Sequence, residues 1–345
     1  MKWSIAKKAV TRPGEPKRAG AAMARFGIAF VVTAFAGIQA TGNALAQAYP
    51  TKPIRWIVTY QPGSTGDIFA RLLGPKVAEQ VGQAVVIENR GSANGNVGTA
   101  AGAKSPPDGY TFLLAGNASL SINPHLSAEA NYDPVKDFAP VMLIGTAPLL
   151  LNAHPSLPAK SLEEFIAYAR ANPGKIDFAS GGNGSSTHLA GEMLKQTASL
   201  DLRHVPYNSS TQAIADLAGG HVMLMFTGVP TTLSQVRSGR LRAVAVAGRT
   251  RSAVLPDVPA MAEAVPGFEA VVWYGLLAPA GTPADRVARM YAELQTALKS
   301  PDIQEKFKGQ GAEVGTLGPV PFAAYIREEL VRWGKVVKAS GAKLD

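Results

Sequence analysis

The stretch IRWIVTYQPGSTGD, residues 54–67, decides how the chain folds. It opens as a run of apolar and β-branched residues, 54–59, with the length and composition of a buried strand. A loop of small residues follows, and from Asp67 the period changes. Phe69, Leu72, Leu73, Val77 and Val81 then recur at helical spacing on one face. A second apolar run, VVIE at 85–88, completes a strand–helix–strand unit, the crossover that joins parallel strands.

The same layout returns at IDFASGGNGSSTH, residues 176–188. The spacing predicts a strand at 176–179, a glycine-rich loop, a helix from about His188, a strand at 203–205, a helix from about Thr211, and strands at 222–226 and 243–247. Between the two series, strands are expected at 112–115, 141–144 and 149–152. Ser161 and Glu164 form a capping box for a helix through Phe165 and Ile166. After the apolar run VVWYGLLA at 271–278 the pattern is helical to the end. Thr282-Pro283 and Ser300-Pro301 read there as helix starts, and the last helix buries Phe322, Ile326 and Trp333. The class is therefore α/β, with mainly parallel sheets flanked by helices, in two series each with its own glycine-rich strand-to-helix turn.

The chain has 345 residues, 34 Lys plus Arg, 25 Asp plus Glu and a net charge of +9, which by itself suggests an anionic macromolecular partner. The distribution removes that reading. Residues 1–46 carry seven basic side chains against Glu15, then the uncharged FGIAFVVTAFAGI at 26–38, then Ala44-Leu45-Ala46. Basic, apolar, small-x-small is the order of a cleaved secretory signal, here cut before Gln47, and the apolar run is too short to span a bilayer. The remaining chain carries only about +3. With no cysteine, disulfides, thiolate metal sites and cysteine nucleophiles are excluded.

Two loops stand out. Gly63, Ser64, Thr65, Gly66 and Asp67 lie between a buried strand and a helix. Ser180, Gly184, Ser185 and His188 belong to a loop with the same placement in the second series. Helix N-termini present unsatisfied N–H groups and a positive dipole end, and small residues let an anion approach them. Asp67 serves equally well as a helix cap. Neither loop matches a dinucleotide or nucleoside triphosphate fingerprint, and G-x-S-x-G is absent. The five histidines lack metal-ligand spacing. A secreted serine hydrolase using Ser185 or Ser186 with His188 lacks a visible orienting carboxylate.

The order of further short motifs resembles one family, the periplasmic solute receptors of tripartite tricarboxylate transporters, also called Bug receptors. The resemblance covers essentially all of 49–345. It runs through Lys52-Pro53-Ile54-Arg55, Pro62-Gly63 to Asp67, VVIENR at 85–90, Gly95-Asn96-Val97-Gly98 and Pro107-Asp108-Gly109-Tyr110-Thr111. It continues through Asn172-Pro173-Gly174-Lys175, His188 to Glu192, His204-Val205-Pro206-Tyr207 and Leu255-Pro256-Asp257-Val258-Pro259. It implies a two-domain Venus-flytrap binding protein with no catalysis, metal or cofactor. Domain 1 would comprise 47–146 plus 273–345 and domain 2 would comprise 147–272, with crossovers near 145–149 and 270–275.

The implied ligand is a small organic carboxylate held between the two loops, with Asn96 and Ser119 added to the site. The implied partner is an integral membrane transporter, the implied state a monomer and the implied location the periplasm. A ligand-sensing module for a signalling partner would share the same fold and cleft. Three departures from the family pattern are Gly63-Ser64, Gly91-Ser92 and Asn208-Ser209, which stand where the family usually has Gly-Gly, Pro-Gly and Lys-Gly.

Overall fold

The computed structural model describes residues 49–91, 93–126 and 131–342. The signal segment expected over 1–46 lies outside them.

Strand β1 (Ile54–Val58) has Ile54, Trp56, Ile57 and Val58 fully buried, because it runs between two parallel neighbours. These are β2 (Val85–Asn89) and β3 (Thr111–Gly116), with Ile57 opposite both Glu88 and Leu113. Helix α1 (Thr65–Val81) makes the first crossover and ends at Gly82 in the left-handed conformation. Helix α2 (Asn96–Ala103) makes the second. Beyond β3 the sheet turns antiparallel through two long strands, β4 (Phe138–Ala153) and β9 (Val271–Pro279). At Gly116 a Cβ would lie 2.2 Å from the Trp273 carbonyl oxygen, so β3 and β9 approach closely only with glycine there.

Strand β4, expected as two separate strands, is continuous and belongs to both sheets. Its first part pairs with β9, and from Leu149 onward it pairs with β7 (Leu224–Gly228) and β8 (Arg242–Val246). The second sheet is completed by β5 (Asp177–Ser180), parallel to β6 (Arg203–Pro206) and to β7. Each sheet is thus parallel on its strand–helix–strand side and antiparallel where the long strands pass. The chain returns beside its outward path, since Leu149 N–H donates to Ala270 O and Ala270 N–H to Ala247 O.

Helices α3 (Leu162–Ala171), α4 (Ser186–Ala198), α5 (Ser210–Ala218) and α6 (Val229–Arg237) flank the second sheet. Helices α7 (Ala284–Lys299), α8 (Pro301–Gly309) and α9 (Pro319–Ser340) return to the first, with β10 (Glu313–Val314) added to β4. Glu329 of α9, 4% exposed, accepts hydrogen bonds at 2.9 Å from the indole N–H groups of both Trp273 and Trp333. A buried carboxylate is tolerable only when satisfied in this way, and here it ties α9 to β9 at the return crossover. Among the described residues no helix is long and apolar enough to cross a membrane.

Candidate functional site

Four strand-to-helix junctions meet between the sheets. They enclose adjoining pockets of about 90 Å³ and 70 Å³ that share Tyr60, Ser64, Ser186, Thr187, Ser210 and Thr211. The outer pocket adds the rim residues Gln61, Asn94, Gly181, Asn208 and Ser209. The inner one adds Thr65, Thr227, Gly228, Thr231 and an apolar floor of Leu149, Ile214, Val272 and Tyr274. Neither pocket is lined by a charged side chain.

Four helices begin here because four strand ends do. Ser64, Ser185 and Ser209 cap α1, α4 and α5, each accepting from the N–H three residues on, and Gly228 leads into α6. Each positive helix end therefore points at the same small space. The cap hydroxyls satisfy one N–H each, which leaves other first-turn N–H groups for a guest.

Of the residues expected to hold a ligand, Ser64, Thr65 and Ser185 lie on the pockets. Gly66 is buried against Tyr60, whose ring would be 2.6 Å from a Cβ there. Asp67 does not face the pockets. Its carboxylate is 2% exposed and accepts from Gly63 N–H at 2.9 Å, Arg71 Nε at 2.9 Å and Asn89 Nδ2 at 2.8 Å. Burial pushes its pKa up, but the hydrogen bonds from Arg71, Gly63 and Asn89 outweigh it and hold the group below the usual carboxylate range.

The second loop is built the same way. Gly184, at φ +73°, donates its N–H to His188 Nδ1 at 3.0 Å, and Ser180 Oγ lies 2.6 Å from His204 Nε2 while accepting from Gly182 N–H. Ser180, Gly184 and His188 therefore shape the loop behind its lining residues. Asn96 and Ser119 lie off the pockets. Asn96 Oδ1 accepts from Asn123 Nδ2 and the Tyr132 hydroxyl, which also donates to Ser119 O.

Several lining residues escape the sequence reading. Thr59 is buried and Tyr60 half-buried, and both have enclosed hydroxyls that make no hydrogen bond of normal geometry to the protein. Burial raises the Tyr60 phenol well above its ordinary pKa, so it remains a proton donor. Asn208, Ser209, Ser210 and Thr211 form a third hydroxyl-rich strand-to-helix junction, whose run of cap residues was the available signal. By contrast, a wider groove of about 510 Å³ by the crossovers is lined by Arg249, Arg251, Arg332 and Lys308 among others. There the arginines are already paired, with Glu269, Glu263 and Glu329.

Two α/β lobes joined through long shared strands, with an enclosed polar space between them, define a periplasmic binding protein of the type II-like class. A model of the tripartite tricarboxylate transporter family receptor matches residues 69–342. BugT of Bordetella pertussis is 37% identical over 316 residues, 91% of this chain and 96% of BugT. Rpa4515 of R. palustris, solved with adipate, superposes with a TM-score of 0.83 at 34% identity, covering 86% of this chain and 100% of that one. MatC (Rpa3494) from Rhodopseudomonas palustris, solved with bound malate, gives 0.78 at 32% identity, covering 84% and 100%. The chain belongs to the tripartite tricarboxylate transporter receptor family. It is a solute-binding receptor of the periplasm.

Proposed function

We propose that the receptor captures a small organic carboxylate between its lobes and delivers it to the integral membrane subunits of a tripartite tricarboxylate-type transporter. The observation that carries this reading is the convergence of four helix N-termini on a space without charged side chains. A carboxylate placed there meets fixed N–H dipoles and the hydroxyls of Ser64, Thr65, Ser186 and Ser210. Preorganised dipoles count for more in such a water-poor space than in bulk water. The adipate and malate held by two relatives are acids of the class this arrangement suits.

Ser64 and Thr65 contribute from the first lobe, with Gly63 and Gly66 shaping their loop, and Ser185, Ser186, Ser210 and Thr211 from the second. Asp67, Ser180, Gly184 and His188 act by holding their loops in shape. A thermal-shift screen of mono- and dicarboxylates, amino acids and aromatic acids on the mature protein tests the assignment. At least one carboxylate should raise the melting temperature, and a response confined to an unrelated ligand class would refute it. Capture of the transporter's membrane subunits on the loaded receptor tests delivery, whereas capture of a signalling receptor instead would favour a sensing module.

A further inference from the structure

The loop between β5 and α4 and the first turn of α4 are both tied to the opposite lobe. In the middle of the loop, the Asn183 carbonyl accepts from Asn94 Nδ2. Asn94 sits at φ +57°, a left-handed conformation that only two described non-glycine residues adopt, and its own carbonyl accepts from Asn123 Nδ2. In the first turn of α4, Leu189, fully buried, joins one apolar cluster with Ile122, Trp333 and Val337, all from the first lobe. Helix α4 is held along its length as well, since Gln196 Nε2 donates to Ala339 O of α9 at 2.9 Å.

We propose that Asn94 and Leu189 are positioning residues for lobe closure. They clasp the 180–188 loop against the first lobe, and because every group in the clasp belongs to the protein, it draws the lobes together independently of any guest. Asn123 and Ile122 are adjacent, so the polar and the apolar halves of the clasp rest on one segment of the first lobe. Retaining Asn at a left-handed position, where glycine is free of strain, follows if its side chain is what the position needs. The functional consequence, a binding loop kept preformed, rests on reading the space as a ligand cleft. The clasp itself does not.

The chain has no cysteine, so Lys104→Cys in the first lobe and Gln212→Cys in the second can be spin-labelled without background. Inter-label distances are then measured by pulsed electron resonance on ligand-free mature protein, which keeps the result apart from the carboxylate assignment. The labelled parent should show a populated short, closed distance. Asn94→Gly keeps the backbone conformation and removes the donor, and it should raise the open-to-closed ratio about fivefold, the worth of one net hydrogen bond. Its melting temperature should be unchanged. Leu189→Ala should raise the ratio at least about tenfold. A parent that shows only the open distance, or a folded Asn94→Gly protein with the parental ratio, would overturn the proposal.

Discussion

The imidazoles of His188 and His204 lie face to face, 3.9 Å between centroids and 15° from parallel, with the Phe178 ring 4.9 Å from His204 and 6.4 Å from His188. One ring comes from the first turn of α4 and the other from β6, so the stack pins the second loop to its sheet. Both rings act in the neutral form. Gly184 N–H needs an unprotonated Nδ1 on His188, and a second charge 3.9 Å away would be repelled.

Acid should therefore loosen this lobe. Burial, then the neighbouring His188 and Lys195, lower the His204 pKa to about 3 from the ordinary 6.5, and burial lowers that of His188 despite Glu192. Between pH 6.5 and 3 the unfolded chain takes up a proton that the folded chain refuses, so stability falls as pH drops through that window. For His204 the loss between pH 7.5 and 5 is up to about 2 kcal/mol, or several degrees of melting temperature. Differential scanning calorimetry on the parent and on His204→Phe checks this. The variant should show a shallower dependence on pH, and an equal slope would count against the histidine account.

Asp67→Asn should cost about 2 kcal/mol of unfolding free energy in urea melts, because one buried carboxylate holds the Gly63 N–H, Arg71 and Asn89 together. The contribution of Asp67 is present above its ordinary pKa and disappears as pH falls below it, since its folded pKa is the lower one. Stability equal to the parent's at pH 7 would mean that the loop does not depend on this carboxylate.

Ser186→Asp places a carboxylate at the first position of α4, on both pockets. Helix α4 itself favours an acidic residue there, so the melting temperature should hold. Two like charges about 5 Å apart at an effective dielectric constant near 20 repel by about 3 kcal/mol, which predicts at least about a hundredfold weaker carboxylate binding by calorimetry. Unchanged affinity would place the carboxylate elsewhere.

Much of this was readable from residues. The run at 54–67 becomes β1, its loop and α1, and Ser161 caps α3 through its hydroxyl to Glu164 N–H. Other signals were local cues that tertiary contacts redirected. Thr282 and Ser300 precede prolines, yet their hydroxyls donate back to the carbonyls of Pro279 and Ala297 rather than capping the next helix. The union of the two predicted strands at 141–144 and 149–152 into β4 depends on β9, β7 and β8 arriving from more than seventy residues away. In the site, residue type marked the two glycine-rich loops but not which side chains face the space. Asp67 and His188 carry the most obvious chemistry and point into the scaffold. The plain hydroxyls of Ser186, Ser210 and Thr211 line the pockets, and only the facing of the two lobes brings the start of α5 to the start of α1, where Thr211 Oγ1 donates to Pro62 O.

Binding should also be nearly insensitive to salt. With only dipoles and hydroxyls on the pockets, no surface ion pair is screened at the site, so the affinity for a responding acid should change less than about threefold between 0.05 and 0.5 M sodium chloride. A steep fall would point to a charged surface such as the arginine-lined groove at the crossovers.

The most direct test compares an acid with its uncharged isostere. Isothermal titration calorimetry on the mature protein would use a carboxylate that raises the melting temperature, adipate being the first to try, alongside its diamide. The account predicts measurable binding of the acid and at least a hundredfold weaker binding of the diamide, because four helix N-termini stabilise an anion and only solvate a neutral amide. Equal affinities for the acid and its diamide would contradict it.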